Sequence, residues 1–288
     1  MGKSSLLRAL TSQADWESRG KDFGKAVIVY LNCQDLLPFT PARFWRGILE
    51  GAKAKYADEP ALRKTIEKHL KESPSTQSHI LQFARDLERQ DRTLLLLLDD
   101  YDAAVMVNES YTEAEMSTHL FEFRSIANDP ELKRYSTVVA TSRRLNELGP
   151  RPEKLPAGSP WYNQYRFRPL KPFTDPEIDA MLARMPQPYR VTEALKDAIR
   201  EIAGENPALL QCACELLVEE WEAGNRPAPA EFSKEFESRT RQYYKNAWEG
   251  SSPKEQMCLM LIAVEAGRAP EWQAQLRSRR LGCSAQPA

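Results

Sequence analysis

The sequence is short of the features that fix many functions at a glance. Lys and Arg number 40 against 41 Asp and Glu, a net charge of -1, so no overall basic excess points to nucleic acid. The longest aliphatic run is Leu94 to Leu98, far below the length that spans a bilayer. The N-terminus lacks the apolar stretch of a signal peptide. Five cysteines (Cys33, Cys212, Cys214, Cys258 and Cys283) are scattered and odd in number. Cys212 and Cys214 fall inside a helical pattern without matching ligands, which favours buried reduced thiols over a metal site. The three histidines, His69, His79 and His119, lie in helical stretches without H-E-x-x-H spacing, and no G-x-S-x-G element is present. Repeats and low-complexity segments are missing too. What remains is a chain of 288 residues, 42% hydrophobic and 28% charged, which suits a globular protein with one large or two smaller domains. A cytoplasmic location is the simplest expectation.

Strand and helix signals alternate over the first part of the chain. Residues 3–19 carry Leu6, Leu7, Leu10 and Ala14 at helical spacing. "KAVIVYLNC" (25–33) is an apolar, β-branched run after a Gly-containing turn and predicts a buried strand. Residues 41–91 read as two or three helices. "TLLLLLDD" (93–100) is apolar at every position before its two acids, as in a strand covered on both faces. Residues 112–128 are helical, "STVVATSRR" (136–144) predicts a third buried strand, and "YRFRPL" (165–170) a weaker fourth. This alternation predicts an α/β parallel sheet with crossover helices. After Pro172 only helices are expected, at 174–185, 192–203, 206–223 and 230–248, with another beginning in 251–267. The tail "RLGCSAQPA" carries no structural signal. The expected organisation is an α/β core over 1–171, a helical lid over 172–248, and the truncated start of a winged-helix or effector region with a disordered tail over 249–288.

The chemistry lies at the ends of these elements. The chain opens "MGKSSLLRAL", and Gly2, Lys3 and Ser4 match the last positions of the phosphate-binding loop G-x-x-x-x-G-K-[ST], with Met1 as its fourth x. A bare GK[ST] is a weak signal, since it recurs by chance. "LLLLLDD" places Asp99 at the carboxyl edge of the sheet, where open α/β sheets bind ligands and a Mg²⁺ ion held with nucleotide phosphates needs a carboxylate. Asp100 would orient or deprotonate an attacking water. "VVATSRR" ends in Thr141, Ser142, Arg143 and Arg144, a hydroxyl and guanidinium set able to sense a terminal phosphate. Each end has a bland reading as a cap, an acidic turn or a solvated strand terminus. Their order raises the signal: helix-opening GKS, strand, helical insert, strand-DD, helix, strand-TSR. In that order Lys3 would reach the β/γ-phosphates and Ser4 would ligate Mg²⁺.

On these residues the sequence resembles a STAND-type P-loop ATPase, the AAA-related signalling class. "GKSSLLRAL" is similar to the end of the Walker A motif and its helix, so that Gly2, Lys3, Ser4 and Ser5 would face the nucleotide. "LLLLLDD" is similar to Walker B and "VVATSR" to the sensor 1 pattern. "SPWYNQYRFRPLKPFTDPEIDAML" (159–182) resembles the passage from the last core strand into the lid. "GENPALLQCACELL" (204–217) resembles the lid's G-x-P element. The likeness covers about residues 1–265. It implies ATP and Mg²⁺ as ligands and metal contacts from Ser4 and Asp99. Catalytic roles fall to Asp100 and Arg143, and Thr141 and Pro207 would contact the nucleotide, the proline near the adenine. Two departures stand out. The first half of the loop and the strand before it are absent, which implies a fragment or a mis-called start and weak ATP binding by the chain as given. Family members usually carry Glu where Asp100 sits, which implies slow hydrolysis.

Three functions compete on this reading. The first is an ATP-dependent signalling switch whose lid closes over nucleotide, with effector or sensor domains in a parent chain and possible self-association. The second is a protein-interaction module descended from such an ATPase and free of nucleotide. The third is a DNA-associated ATPase resembling origin-recognition proteins. The third is expected to carry a basic winged helix, and only "RSRR" (277–280) is basic in the tail.

Overall fold

The computed structural model describes residues 2–150, 160–185 and 191–265. The chain divides into two compact units, Met1–Lys171 and Pro172–Ala288. The first contains α1 (Lys3–Ala9), α2 (Gln13–Glu17), β1 (Ala26–Asn32), α3 (Pro41–Lys55), α4 (Pro60–Leu70), α5 (Gln77–Glu88), β2 (Thr93–Asp99), α6 (Glu113–Ala127) and β3 (Tyr135–Val139). The strands form one parallel sheet in the order β1-β2-β3. Crossover helices are what parallel pairing requires, and α3, α4 and α5 supply one crossover and α6 the other.

The leucine run explains why β2 is the middle strand. Leu94, Leu96 and Leu98 point to one face of the sheet, where Val27 and Val29 of β1 join them under the aromatic-rich core formed with α3, α5 and α6. Leu95 and Leu97 point to the other face and pack with Ala26, Ile28, Ala140 and Leu7 of α1. Only a strand flanked on both edges and covered on both faces can bury every position in this way. The free edge of β1 is closed by a side chain: the buried Ile28 N–H donates to the Tyr56 hydroxyl at 2.7 Å, and that hydroxyl donates to the Ala26 carbonyl at 3.3 Å.

Several elements differ from the sequence expectation. The helical stretch 3–19 is two helices, because the Ser12 side chain accepts from the Asp15 N–H and caps α2 separately. β3 ends at Val139, and it is half-buried, not covered on both sides, because it is an edge strand. "YRFRPL" is not a strand. Residues 166–170 are exposed, Pro169 has no N–H to donate, and no strand runs beside them among the described residues. The sheet itself is continuous: β2 pairs directly with β3, with no gap between them.

The second unit is helical among its described residues: α7 (Asp175–Ala183), α8 (Glu193–Ala203), α9 (Pro207–Glu222), α10 (Pro229–Glu249) and α11 (Pro253–Glu265). Its core runs from Ile178 and Leu182 through Ile199, Leu210 and Leu217 to Phe232 and Phe236. The α8–α9 corner follows from three adjacent residue types. Gly204 ends α8 at φ 54°, Asn206 accepts from the Ala208 and Leu209 N–H groups, and Pro207 takes the first helical position. On α11, Met260 is buried while Met257, Leu259, Leu261 and Ile262 are about half exposed. Cys283, the run "RSRR" and the tail lie outside the described residues. No helix among the described residues is long and apolar enough to cross a membrane.

One core residue gives the fold a pH dependence. His119 is 1% exposed, and neither ring nitrogen has a hydrogen-bond partner. Phe39, Phe44, Trp45 and Phe123 surround it at ring-centroid distances of 4.9–6.4 Å. Burial pushes its pKa down to about 3. The unfolded chain takes up a proton on this side chain below about pH 6.5, and the folded chain does not until pH falls near 3. Stability contributed by keeping this group neutral is therefore whole above the unfolded value and falls with pH between the two. Urea denaturation at pH 7 and pH 5 is expected to show a loss of about 2 kcal/mol from this group. In His119→Phe that component of the pH slope is expected to vanish, while an unchanged slope would contradict the assignment.

Candidate functional site at the carboxyl edge of the sheet

The alternation that buries the leucines also fixes where Asp99 points. Leu95, Leu97 and Asp99 share one strand face, and it is the face on which Leu7 of α1 packs. Asp99 is 2% exposed, and both its oxygens are engaged. Oδ1 accepts from the Asp100 N–H at 3.1 Å, and Oδ2 accepts from the Tyr30 hydroxyl at 2.7 Å. Tyr30 lies on the same face of β1, opposite Leu97 and two residues before Asn32, which pairs with Asp99. It is thus the diagonal neighbour of Asp99 across the ladder, within reach of a long side chain. The Arg8 guanidinium of α1 sits 6.0 Å from the centre of the Tyr30 ring.

Asp100 turns the chain out of the strand. Its backbone is left-handed, φ 44° and ψ 43°, a conformation that Asp adopts more readily than most side chains. Burial pushes its pKa up, the Asp99 and Asp102 carboxylates push the same way, and the Lys3 charge pulls it down. The next residues are stitched to the end of β3. The Ala140 N–H donates to the Leu98 carbonyl at 2.8 Å, and the Tyr101 N–H donates to the Ala140 carbonyl at 2.9 Å. Asp102 accepts from the Ser142 N–H at 2.9 Å and from its hydroxyl at 2.5 Å. The acids after β2 and the T-S-R segment after β3 are therefore one structural unit. Within it the Thr141 hydroxyl donates to the Arg143 carbonyl at 2.7 Å, and Arg143 and Arg144 are exposed.

The residues of the first motif reach this place through α1. Gly2 precedes the helix at φ 86°, a conformation that suits glycine, and Lys3 is the first helical residue. Lys3 and Ser4 are half-buried, and Ser5 is exposed. A β-carbon on Gly2 would lie 3.8 Å from Leu170, which brings segment 165–171 past the start of α1. Leu7 of the same helix packs on the sheet face of Asp99, and the Lys3 charge acts on Asp100. Pro207 lies in the second unit, half-buried at the start of α9.

Ser4 and Asp99 carry hydroxyl and carboxylate oxygens, the donor kind that a hard divalent cation takes, and among the described residues no three His, Cys, Asp or Glu side chains gather into a cage. Mg²⁺ is commonly held by one or two protein oxygens together with phosphates and waters. Cys33 near these acids is no nucleophile, because burial pushes its thiol pKa far up and the surrounding carboxylates add to it. The sequence reading passed over Tyr30, Arg8 and Asp102. Period-two counting along β1 puts Tyr30 on the Asp99 face once strand register is known, whereas nothing in the sequence pairs Asp102 with Ser142.

No protein-family model matches the chain, and no curated protein matches it. Among solved structures it is similar to the ORC2 protein of Aeropyrum pernix, solved as ADPNP-ADP complexes. The two are 18% identical with a TM-score of 0.55, over 96% of this chain and 69% of that one. At that identity the likeness is one of fold alone: an α/β parallel sheet with many helices.

Proposed function

We propose that the chain is an ATP-binding module of the AAA-related type that works as a nucleotide-dependent signalling switch. The observation that carries this reading is the shared sheet face: α1, which brings Lys3 and Ser4, packs on the side toward which Asp99 points, and the Lys3 charge acts on Asp100. In this reading Lys3 meets the β/γ-phosphates, with Gly2 and Ser5 beside them. Ser4 and Asp99 hold Mg²⁺, which would neutralise phosphate charge. Asp100 orients water, and the rise in its pKa makes it a readier proton acceptor at its own carboxylate. Thr141 and the exposed Arg143 meet the terminal phosphate. Nucleotide state would be passed to effector or sensor domains, or to self-association.

A second reading, an ATPase associated with DNA, is favoured by the fold likeness to an ORC2 protein. The near-zero net charge argues against it. Salt-dependent binding of duplex DNA by this chain would promote it over the signalling switch.

Mg·ATP titration followed by NMR tests the first reading. The chain is expected to bind, and Lys3→Ala to bind at least about tenfold more weakly, equivalent to roughly 1.4 kcal/mol. Equal affinity in the two would remove Lys3 from the site, and no binding by either would favour a nucleotide-free interaction module. A further expectation concerns the outer edge of β3. The Arg134 carbonyl accepts from the Leu94 N–H and the Ala140 N–H donates to the Leu98 carbonyl, so alternation turns the N–H and C=O groups of Tyr135, Thr137 and Val139 outward. We expect a version extended by a strand ending in G-x-x-x to bind Mg·ATP at least about tenfold more tightly, because two or three added charge-assisted hydrogen bonds of about 1.5–3 kcal/mol each exceed that factor. Unchanged affinity would show that the loop's first half is dispensable.

A further inference from the structure

The proposed metal ligand Asp99 does not stand alone, and its partner is a residue to which the reading above gives no role. We propose that Tyr30 is a positioning residue for Asp99: its hydroxyl sets the direction of the carboxylate that holds Mg²⁺, and Arg8 holds Tyr30 from the helix that carries Lys3 and Ser4. This deepens the nucleotide-site reading and rests on it.

The geometry is specific. A carboxylate has two oxygens to aim, and at Asp99 the two are held by groups of different kinds. Oδ1 takes the N–H of the next residue, a bond that follows the backbone wherever the chain turns. Oδ2 takes the Tyr30 hydroxyl at 2.7 Å, a bond from another strand that exists only in this register. Rotation of the carboxylate is therefore decided by Tyr30. A hydrogen bond to an ionised acceptor is short and strong, and in a buried place it is also directional. Asp99 is buried, so water cannot readily replace the phenol.

Tyr30 is itself held from the far side. Ile28, Leu95, Leu97 and Leu7 form the apolar floor against which its ring lies. Arg8 approaches the ring face one residue after Leu7, in the range of a cation–π contact. The hydroxyl, held between the Arg8 side chain and the Asp99 carboxylate, is the donor of the bond. The chain of contacts Arg8–Tyr30–Asp99 spans α1, β1 and β2. A shift of α1, the element bearing Lys3 and Ser4, would reach the metal ligand through one phenol. The device also suits a site whose acid at position 100 is an aspartate, because it fixes the ligand beside it without calling on that side chain.

The test compares ATP affinity with and without Mg²⁺ in the unsubstituted chain, Tyr30→Phe, Asp99→Asn and the double variant, with thermal unfolding as a fold control. The quantity read is the ratio of the two affinities. Tyr30→Phe keeps the ring and removes only the hydroxyl. It is expected to lower the ratio about tenfold and leave Mg²⁺-free affinity unchanged, and in the Asp99→Asn background it is expected to change nothing further. Arg8→Gln is expected to lower the same ratio about threefold, and it serves as the second probe if Tyr30→Phe is unstable. A Tyr30→Phe ratio equal to the unsubstituted one would overturn the proposal, as would parallel losses with and without Mg²⁺, which are the mark of a purely structural tyrosine. If the unsubstituted chain itself gains nothing from Mg²⁺, the nucleotide-site reading fails and the proposal falls with it. That result is distinct from an intact Mg²⁺ effect that Tyr30→Phe leaves in place.

Discussion

A carboxylate at the end of a buried strand is the constraint on which the rest of the first unit turns. A carboxyl group at 2% exposure, as at Asp99, is tolerable only if its oxygens are satisfied. The backbone can satisfy one, through Asp100, and a neighbouring strand must supply the other. That requirement fixes the register of β1 against β2, since a slip of one residue would turn Tyr30 to the other face and put Val29 or Leu31 in its place. The same register places Ile28 against Leu95 and gives Leu7 its seat, and α1 is thereby held over the face toward which Asp99 points.

The sheet edge is also cross-braced in the other direction. Ala140 exchanges backbone hydrogen bonds with Leu98 and Tyr101, and Asp102 grips Ser142. The segments after β2 and β3 would respond together to anything bound between them. In the switch proposed above, such coupled strand ends would carry occupancy away from the site. The fold alone does not select a function, since one fold serves many. The switch reading is proposed on two observations: Leu7 of α1 packs on the face toward which Asp99 points, and the Lys3 charge acts on Asp100.

Much of this was legible in the sequence because it follows from one-dimensional signals. Five consecutive leucines bounded by two acids admit little besides a two-sided strand, and Asn206-Pro207 after Gly204 marks a helix corner by cap chemistry alone. What was not legible depends on partners distant in sequence. "YRFRPL" has strand-like alternation, yet a strand needs a neighbour, and the described residues provide none. The break between α1 and α2 turned on whether Ser12 would cap or continue a helix, a choice settled by local hydrogen bonding. Tyr30 read as one more apolar position of β1, because its role arises only when register sets it diagonal to Asp99.

The central claim is that the start of α1 and the ends of β2 and β3 surround one nucleotide-bound divalent ion. Manganese substituted for magnesium tests it directly, through paramagnetic broadening of assigned backbone amide signals in the presence of ATP. The account predicts broadening centred on Gly2 to Ser5, Asp99 to Asp102 and Thr141 to Arg143, lost when ATP is omitted or Asp99 is replaced by Asn. Broadening centred elsewhere, or broadening at the acids alone and independent of ATP, would contradict it.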